Sequence, residues 1–417
     1  MSLLVKDGTV VGPRGKERAN LLLRDGIIES VTTLEPDADE VISAAGFFVL
    51  PGVVDPHVHF RQPGMDSEDW GSGSKAAVAG GVTTVLDMPN TRPPCITSVL
   101  LEEKLAMVNA CKPLVNYGFH FGATSTNQSE IEIVKAKRCS ASVKIFMGSS
   151  TGELLVTDTA ALKSILNTAW LATVHAEDEC VIKENFGAPD HGSKRPKAAA
   201  LSAIRKLSFS NCRNIYICHI TSYDEAEAAI SFYKEVTPHH LFLNEDVMNR
   251  IGSYGKVNPP LRPEADRAAL WTALAEGKIS TIGSDHAPHL KSAKESDNPP
   301  SGVPGVETSL PLMLDAASRG MLTLEKVVEL MCQNPSRIFK LKGKGFIEQG
   351  YDADLAIVDL KCRRKVSVDG LHSRCGWTPF DGFDLRGWPV ATIVGGSVAY
   401  MNGEFFKSSG REVTYAV

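Results

Sequence analysis

The chain has 417 residues, of which 43% are hydrophobic and 22% are charged, and its formal net charge is -5. These proportions exclude a disordered chain, and the absence of a concentrated basic charge gives no reason to expect nucleic acid as a partner. The nine cysteines lie scattered without a C-x-x-C pair and are predicted to be reduced thiols. No stretch approaches the roughly 18 apolar residues of a membrane span, and Lys6 and Asp7 interrupt the first apolar run, so no secretory signal is predicted. We therefore expect a soluble cytoplasmic protein that acts on a small molecule.

The first fifty residues alternate short apolar runs with turn residues and favour β structure. Asp7-Gly8 and Asp25-Gly26 each lie between such runs, which predicts hairpins. The segments DADLAIVDL and WPVATIVGGSVAYMNGEFF near the C-terminus have the same character, with Asn402-Gly403 as a further turn. Because the termini of a domain usually lie close together, we expect residues 1–50 and 345–417 to form one small, β-sandwich-like satellite domain.

Between residues 51 and 344, eight short apolar runs alternate with stretches of helical character. The runs are FFVLPGVVDPHVHF, GVTTVLDM, LVNYGFHFGA, ASVKIFMG, WLATVHAED, RNIYICHITS, KEVTPHHLFL and KISTIGSDH. Segments between them, such as SVLLEEKLAMVNACK, TDTAALKSILNTA, SYDEAEAAISFYKE and EADRAALWTALAEG, carry apolar residues at three- and four-residue spacing, which favours helix. Eight strands alternating with helices predict an α/β fold of the (β/α)8 TIM-barrel type, whose active site lies at the C-terminal ends of the strands.

Side chains that bind metals or anions follow six of the eight runs. They are His57, His59 and Arg61 after the first run, Asn90 after the second, Lys144 in the fourth, His175 in the fifth, His219 in the sixth and Asp285 in the eighth. Side chains on a strand alternate between faces, so the first three point the same way. Two imidazoles on one face can share a metal ion. Two surface histidines are the alternative, which the apolar run before them disfavours.

Lys144 lies between Val143 and Ile145, so strand alternation directs it toward the barrel axis. A buried lysine is costly when it is charged and unpaired. Two interpretations stay open: an ordinary buried ion pair, or a carbamate formed from CO2 that bridges two metal ions. His175 and His219 would each be typical of core histidines, but together they supply nitrogen donors for a second metal ion, and zinc accepts imidazole nitrogen and carboxylate oxygen.

Asp285 ends the eighth run, where it could both bind a metal and carry a proton. It would take the proton from a hydroxide shared by two metals and return it to a leaving amide nitrogen. A capping or turn aspartate is the alternative. Arg61 offers a planar fork suited to a carboxylate, with Asn90 and His289 as further donors, so we expect a substrate that carries an acid. Six other histidines are predicted to be structural or exposed: His120, His191, His239, His240, His286 and His372.

Nine segments resemble, in order, the motifs of the dihydroorotases across most of residues 50 to 310: PGVVDPHVHFRQPG, AGGVTTVLDMPNT, SVKIFMG, TVHAEDE, CHITS, EVTPHHLFL, KVNPPLR, GSDHAPH and GVPGVET. GYDADLAIVDL and CGWTPFDG resemble the ending of the wider cyclic amidohydrolases. The resemblance implies a reversible cyclisation of N-carbamoyl-L-aspartate to L-dihydroorotate, in de novo pyrimidine biosynthesis. It also implies two divalent metal ions, expected to be Zn2+, and a CO2-derived carbamate on Lys144.

The resemblance assigns a role to each predicted site residue. Six are metal ligands: His57 and His59 for the buried ion, His175 and His219 for the more exposed ion, Lys144 as the bridge, and Asp285, which is also the catalytic acid-base. Three hold the substrate α-carboxylate: Arg61, Asn90 and His289. Three face the dihydropyrimidine ring: Asn258, Ser301 and Gly302. Some dihydroorotases carry an aspartate in place of Lys144, and the loop that closes over the substrate in relatives corresponds to GSSTGELL, where Ser150 and Thr151 are both candidates.

Two other functions stay open. Allantoinase or dihydropyrimidinase would share the barrel, the metal ligands and the satellite sheet, but dihydroorotate carries a ring carboxylate that neutral dihydropyrimidines lack, and Arg61 with Asn90 supplies matching donors. A non-catalytic scaffold for aspartate carbamoyltransferase is expected to have lost ligands, whereas all six are present. Homo-oligomerisation and association with aspartate carbamoyltransferase are left open by the sequence.

Overall fold

The structure is a computed structural model that describes residues 2–12, 15–149, 154–208, 212–408 and 410–416. The strands in these ranges are β1 Ser2–Gly12, β2 Gly15–Arg24, β3 Ile27–Thr32, β4 Glu40–Ser43, β5 Phe48–Pro51, β6 Val53–Val58, β7 Val82–Asp87, β8 Asn116–Gly122, β9 Ser142–Phe146, β10 Ala172–His175, β11 Ile215–Ile217, β12 Tyr233–Val236, β13 Thr281–Ile282, β14 Leu355–Lys365, β15 Asp384–Val394, β16 Ser397–Met401 and β17 Glu404–Phe405. They divide into two sheets, one of eight strands and one of nine.

The eight-stranded sheet is a parallel barrel in which each strand from β6 to β13 pairs with the next one along the chain. The two outer strands approach each other beyond their ends. The amide of His59 donates to the carbonyl oxygen of His286 at 2.8 Å, and Val58 forms a parallel bridge with the same residue. The predicted (β/α)8 barrel is therefore confirmed, and each of the eight apolar runs contributes one of its strands.

Helices lie between the barrel strands and after the last one. They are α1 Trp70–Ala79, α2 Ser98–Cys111, α3 Gln128–Lys137, α4 Thr159–Thr168, α5 Glu179–Glu184, α6 His191–Lys194, α7 Lys197–Ser208, α8 Tyr223–Ala228, α9 Pro238–Phe242, α10 Glu245–Ile251, α11 Glu264–Ala275, α12 Lys291–Lys294, α13 Ser309–Ser318, α14 Leu324–Val328 and α15 Asn334–Ile338. Side-chain caps begin several of them: Thr97 accepts from the amide of Leu100, and Asp158 accepts from that of Ala161. Within the described ranges, the helices are all too short or too polar to cross a bilayer.

The nine-stranded sheet joins strands from both ends of the chain. β5 pairs antiparallel with β14, and this contact links the N-terminal strands to β15, β16 and β17. The sheet has a hydrophobic cluster of its own, in which Val5, Leu21 and Val49 pack with Leu355 and Ile393. The last described residues leave this sheet and return to the barrel, where the amide of Val413 donates to the carbonyl oxygen of Tyr117.

Two of the three predicted hairpin turns are confirmed and one is wrong. Asp25-Gly26 joins β2 to β3, and Asn402-Gly403 joins β16 to β17, both with the positive φ angles of a two-residue hairpin. Asp7-Gly8 instead lies inside β1, where the pairing with β2 shifts register. A β-carbon at Gly8 would come within 2.5 Å of Val49, so the glycine permits close packing against β5 rather than a turn.

The first apolar run, FFVLPGVVDPHVHF, forms two strands that belong to different sheets. β5 ends at Pro51 in the satellite sheet, and β6 begins at Val53 in the barrel. Gly52 lies between them against Thr83, where a β-carbon would come within 2.1 Å of the hydroxyl oxygen. The connection from the satellite to the first barrel strand is thus one residue long, which ties the position of His57 to both sheets.

Candidate active site

The predicted metal ligands other than Lys144, together with Arg61 and Asn90, lie at or just beyond the C-terminal ends of the barrel strands, whereas Lys144 lies in the middle of β9. Three of them have a positive φ angle: Arg61 at 67°, His219 at 37° and Asp285 at 45°. Non-glycine residues rarely adopt this conformation, and it concentrates at functional sites, where the surrounding structure enforces it. In each case the strand has ended two or three residues earlier, so the turn aims the side chain at the barrel mouth.

His57, His59 and Asp285 converge on one point. The Nε2 atoms of His57 and His59 lie 3.2 and 3.1 Å from the same oxygen, Oδ1 of Asp285. The two rings are 5.4 Å apart, as expected for residues one pleat apart on one face of a strand. Val58 and Phe60 point away into the hydrophobic cluster outside the barrel, where Phe60 packs on Trp70. These three donors could hold a metal ion.

The remaining ring nitrogen of each histidine is bound by another residue. Nδ1 of His57 lies 2.8 Å from Oε1 of Glu235, a fully buried carboxylate on β12. Nδ1 of His59 lies 2.8 Å from Oδ1 of Asn90. Such partners fix the tautomer and the ring orientation of a ligating histidine and leave the other nitrogen for the metal.

His175 and His219 form a second pair next to the first. Nδ1 of His175 lies 3.0 Å from Nε2 of His219, so two nitrogens from neighbouring strands face each other. Nε2 of His175 contacts Glu177 at 2.9 Å, and Glu177 in turn forms a buried ion pair with Arg195. The ring of His219 is 5.5 Å from that of His57, which places the two histidine pairs side by side.

Burial keeps the site imidazoles neutral. It lowers the pKa of His57 to about 3 and lowers the pKa values of His59, His175 and His219 as well. A neutral imidazole has a free lone pair on one nitrogen, which is the form that binds metals. The four histidines are therefore in the ligating state at neutral pH before any ion binds.

Lys144 is fully buried on β9 with its amine next to the histidine pairs. Its Nζ donates to Sγ of Cys218 at 2.9 Å and lies 5.0 Å from the centre of the Phe146 ring. Among the described residues, it forms no ion pair with a carboxylate, so the ordinary buried ion pair weighed for it is absent from that part of the chain. Cys218 also lies within reach of His57 and His219, and these three residues make a second cluster that could hold a metal ion.

Arg61 and His289 form the anion-binding side of the site. The Arg61 guanidinium is buried, donates from Nε to the carbonyl oxygen of Pro288 at 3.2 Å, and has Nη2 at 3.2 Å from Nε2 of His289. Within the described part of the chain Arg61 is paired with no carboxylate. Burial lowers its pKa only to about 10, and it lowers the pKa of His289 to about 2. The result is a buried positive charge beside a neutral imidazole at the barrel mouth.

The three residues expected near the substrate ring are placed differently. The carbonyl oxygen of Ser301 lies 3.1 Å from Nε2 of His289, and Gly302, at φ 138°, leaves no room for a β-carbon beside Ala287. Asn258 makes none of these contacts, and its side-chain oxygen is buried without a hydrogen-bond partner in the described ranges. Ser150 and Thr151, the candidates for loop closure, lie outside the described residues.

Sequence reasoning did not identify the carboxylates that orient the histidines. Glu177 follows His175 by two residues, a spacing that keeps both on one face of an extended segment, and Glu235 is an acidic residue inside an apolar run. Asp55 was also missed; its Oδ1 accepts from the amides of His57 and Ser284. Five of the six histidines expected to be structural have protein partners, namely His120, His191, His240, His286 and His372, whereas Nε2 of His239 is buried without one among the described residues.

Comparison with known proteins agrees with this geometry. Residues 48–399 match the Amidohydrolase family. The chain therefore belongs to that family of enzymes, most of its length lying within the match.

Within the family, the chain belongs with the dihydroorotases. It is 39% identical over 385 residues to a dihydroorotase of Halobacterium salinarum, covering 88% of this chain and 90% of the relative. It is 40% identical over 406 residues to a dihydroorotase of Methanosarcina mazei, covering 90% and 88%. These relatives confirm the resemblance predicted from the sequence motifs.

Solved structures share the whole architecture. The L-hydantoinase (dihydropyrimidinase) of Arthrobacter aurescens superposes with a TM-score of 0.93 at 30% identity, covering 99% of both chains. The dihydropyrimidinase of Brevibacillus agri superposes with a TM-score of 0.87 at 26% identity, covering 100% of both. Barrel and satellite sheet are thus shared with enzymes that bear other names than the dihydroorotases.

Proposed function

We propose that this protein is a dihydroorotase, which interconverts N-carbamoyl-L-aspartate and L-dihydroorotate. The observation that carries the proposal is the convergence of His57 and His59 on one oxygen of Asp285, beside a buried guanidinium that has no carboxylate partner among the described residues. The first feature suits hydrolysis of a cyclic amide, and the second suits a substrate with a carboxylate. The archaeal relatives that carry the same activity in their names support this choice.

The donor set fits two divalent cations, which we propose to be Zn2+. His57, His59 and Asp285 would hold one ion, and His175 and His219 the other, because in each group the nitrogens left uncommitted by outer partners face one another. Bound cations of this kind provide a nucleophilic water at neutral pH and polarise the amide carbonyl.

Lys144 is proposed to carry a carbamate formed with CO2. An amine buried on β9 whose only hydrogen bond among the described residues goes to a thiol is poorly compensated as a cation. Conversion to a carbamate replaces the positive charge by a negative one, next to histidines that supply no charge to balance two cations. Lys144 would then join the two groups of ligands as a bridge.

Asp285 is proposed to hold and move the proton. Its carboxylate, partly exposed at the barrel mouth, lies within hydrogen-bond distance of both imidazoles of the first pair. In the hydrolytic direction it takes a proton from the attacking water and gives it to the ring nitrogen as the amide C–N bond breaks. In the biosynthetic direction the same carboxylate removes a proton from the carbamoyl nitrogen as that nitrogen attacks the side-chain carboxyl carbon of the substrate. The C–O bond then breaks, and the oxygen leaves as water with this proton and one from solvent.

Arg61 is proposed to select the substrate by binding its α-carboxylate, with Asn90 and His289 as further donors. A buried guanidinium without an acidic partner is costly, and a carboxylate from the substrate would compensate it through paired hydrogen bonds. Neutral rings such as dihydrouracil would leave that charge uncompensated. This argument favours dihydroorotate over the substrates named for the superposed hydantoinase and dihydropyrimidinase. Asn258, Ser301 and Gly302 are proposed to line the ring.

The proposal is tested by measuring metal content and turnover on one preparation of the full chain. L-dihydroorotate, dihydrouracil, hydantoin and allantoin are supplied at equal concentrations, and N-carbamoyl-L-aspartate is supplied for the reverse reaction. We expect about two metal ions per chain, by analogy with catalytic binuclear sites, and turnover of dihydroorotate far above that of the neutral rings. Preferred turnover of a neutral ring would assign the protein to a different cyclic amidohydrolase. Bound metal without turnover of any of these substrates would favour the non-catalytic scaffold.

Several expectations stay predictions. They are the domain boundaries at residues 50 and 345, a cytoplasmic location, homo-oligomerisation and association with aspartate carbamoyltransferase. The elution volume of the purified chain alone in size-exclusion chromatography would test homo-oligomerisation, and its co-elution with aspartate carbamoyltransferase would test the association.

A further inference from the structure

Lys294 is a second fully buried lysine near the site, and the proposed reaction does not use it. It ends the short helix α12, and its Nζ donates to three backbone carbonyl oxygens, those of Lys256 at 3.3 Å, Pro300 at 3.0 Å and Gly302 at 3.1 Å. The described residues offer it no ion pair with a carboxylate. Burial lowers the pKa of Lys294 to about 7. In the protonated form its amine has three protons to donate, and these three carbonyls satisfy all of them.

The three carbonyls belong to two segments that are distant in sequence. The amide of Gly302 donates to the carbonyl oxygen of Lys256 at 2.9 Å, and Lys256 itself donates from Nζ to the carbonyl oxygen of Pro299. The Lys294 amine lies where these segments meet and binds both. We call residues 256–258 together with 299–302 the substrate wall, because they contain Asn258, Ser301 and Gly302.

The wall is also joined to the anion-binding side of the site. The carbonyl oxygen of Ser301 contacts Nε2 of His289, and the backbone carbonyl of His289 accepts from Nε1 of Trp377 at 2.7 Å. The Lys294 amine lies 5.4 Å from the centre of the same Trp377 ring. One buried amine therefore contacts both segments of the substrate wall and also the tryptophan that binds the backbone of His289.

We propose that Lys294 is a positioning residue that holds the substrate wall in its binding geometry, by donating to the carbonyl oxygens of Lys256, Pro300 and Gly302. The inference rests on the proposed function, because it names the pocket that the wall forms. The amide of Gly302 already joins the two segments through the carbonyl oxygen of Lys256, and the amine of Lys294 adds a side-chain link across the same junction. Three backbone acceptors make the amine a fixed link between them. Lys294 contacts no reacting atom, so its loss should weaken binding of substrate and transition state alike.

Replacing Lys294 by Met tests the inference, because Met keeps the length and removes the donors. With metal content equal to the parent, we expect KM for L-dihydroorotate to rise about tenfold, equivalent to about 1.4 kcal/mol, with kcat changed less than threefold. Such a split is typical of lost uniform binding. A KM within twofold of the parent in a folded, metal-loaded variant would overturn the inference.

Lys234→Met is the matched control. Lys234 is also buried and also donates to a backbone carbonyl, that of Ala229 at 3.1 Å, but it lies near the start of β12, at the opposite end of the barrel strand from the site. Both variants should lose stability in urea, and only Lys294→Met should change KM. An equal rise of KM in the control would assign the effect to general destabilisation and would overturn the inference.

Lys294→Gln decides the matter if Lys294→Met does not fold, because its shorter side chain ends in an amide with only two protons for the three carbonyls. A raised KM for L-dihydroorotate with kcat nearly unchanged in this variant supports the inference, whereas a KM within twofold of the parent overturns it. The proposed function is judged separately by turnover in the parent. A parent that does not turn over dihydroorotate contradicts the proposed function, whereas an active parent with an unaffected Lys294→Met contradicts only the role of Lys294.

Discussion

Replacing Glu235 by Gln should weaken metal binding without changing the shape of the site. The carboxylate accepts from Nδ1 of His57 at 2.8 Å and from the amide of His219 at 3.0 Å through Oε1, and from the hydroxyl of Tyr216 at 2.8 Å through Oε2. A glutamine can keep the first two bonds and donate to Tyr216, whose hydroxyl then donates to Thr281.

The size of the effect follows from the lost charge. A hydrogen bond to a charged group contributes about 1.5–3 kcal/mol and a neutral one about 0.5–1.5 kcal/mol. In the glutamine variant, the hydrogen bonds from Nδ1 of His57 and from the amide of His219 go to a neutral oxygen instead of a charged one. The imidazole of His57 is therefore held less firmly and is less basic. We expect a loss of roughly 10- to 100-fold in metal affinity, equivalent to about 1.4–2.7 kcal/mol, the range typical of residues that orient metal ligands.

The effect should also depend on pH. Burial raises the pKa of Glu235 to about 8 in the metal-free protein. A bound cation favours the carboxylate form of Glu235. Below about pH 8, Glu235 must therefore release a proton when the metal ion binds, so the metal affinity of the parent falls as the pH drops. The glutamine variant has no such proton. The ratio of parent to variant affinity should therefore be largest above pH 8 and approach one near pH 6.

Competition with a chromophoric zinc chelator at several pH values measures both quantities. Glu225→Gln is the control, since Glu225 is also buried and accepts from Thr221 and Ser222 but, in the described part of the chain, forms no hydrogen bond with an imidazole. The reasoning is refuted if Glu235→Gln binds Zn2+ within threefold of the parent above pH 8, or if the control loses as much affinity.

Other changes test the remaining assignments. Asp285→Asn should bind ligand but turn over dihydroorotate about 100- to 10,000-fold more slowly, since it removes the proton carrier; near-parent rates would rule that role out. Arg61→Ala should lower kcat/KM by a factor equivalent to about 2–4 kcal/mol of lost transition-state stabilisation, with metal retained. Unchanged kinetics would contradict the carboxylate site. Burial lowers the pKa of His120 to about 3, so the unfolded chain takes up a proton below pH 6.5 that the folded protein does not. Stability should fall by about 2 kcal/mol between pH 6.5 and 5 through this residue, and His120→Asn, followed by urea unfolding, should show a smaller fall. Lys104→Met removes the cationic partner of the buried Asp87 carboxylate, which lies 2.5 Å from the Lys104 amine in the parent. We expect a loss of stability of about 3 kcal/mol or more, and a much smaller loss would contradict the importance of this pair.

The barrel could be predicted because its strands are buried on both faces and read as apolar runs with polar residues at one end. The same rule applies to His57 and His59, whose shared face follows from the two-residue period of a strand. Local rules fail where tertiary contacts decide the outcome. Asp7-Gly8 has the composition of a turn, but Gly8 is required where β1 packs against Val49, and the true connection to β2 comes later in the chain.

The partners of the histidines could not be predicted because they come from distant strands. Glu235 reaches His57 across 178 positions of sequence, and only the closure of the barrel brings β12 near β6. A glutamate inside an apolar run is a weak signal, since it is also typical of a misjudged strand end. Glu177 is different, because its two-residue spacing from His175 is a local pattern that predicts a shared face.

The outer carboxylates also explain how the site can be ordered and still favour metal. Each of His57, His59 and His175 commits one nitrogen to a protein partner, so its orientation is fixed by the fold. This arrangement buries acidic groups: burial raises the pKa of Asp55 to about 6 and that of Glu235 to about 8. At a pH between the ordinary pKa of each carboxyl group and its raised value, Asp55 and Glu235 keep their protons in the metal-free folded protein but lose them in the unfolded chain. The stability of the metal-free protein therefore falls as the pH rises through this range. A cation that favours the carboxylate form reverses this loss, and metal binding and folding therefore stabilise each other most strongly at the neutral to alkaline pH at which the imidazoles are already neutral.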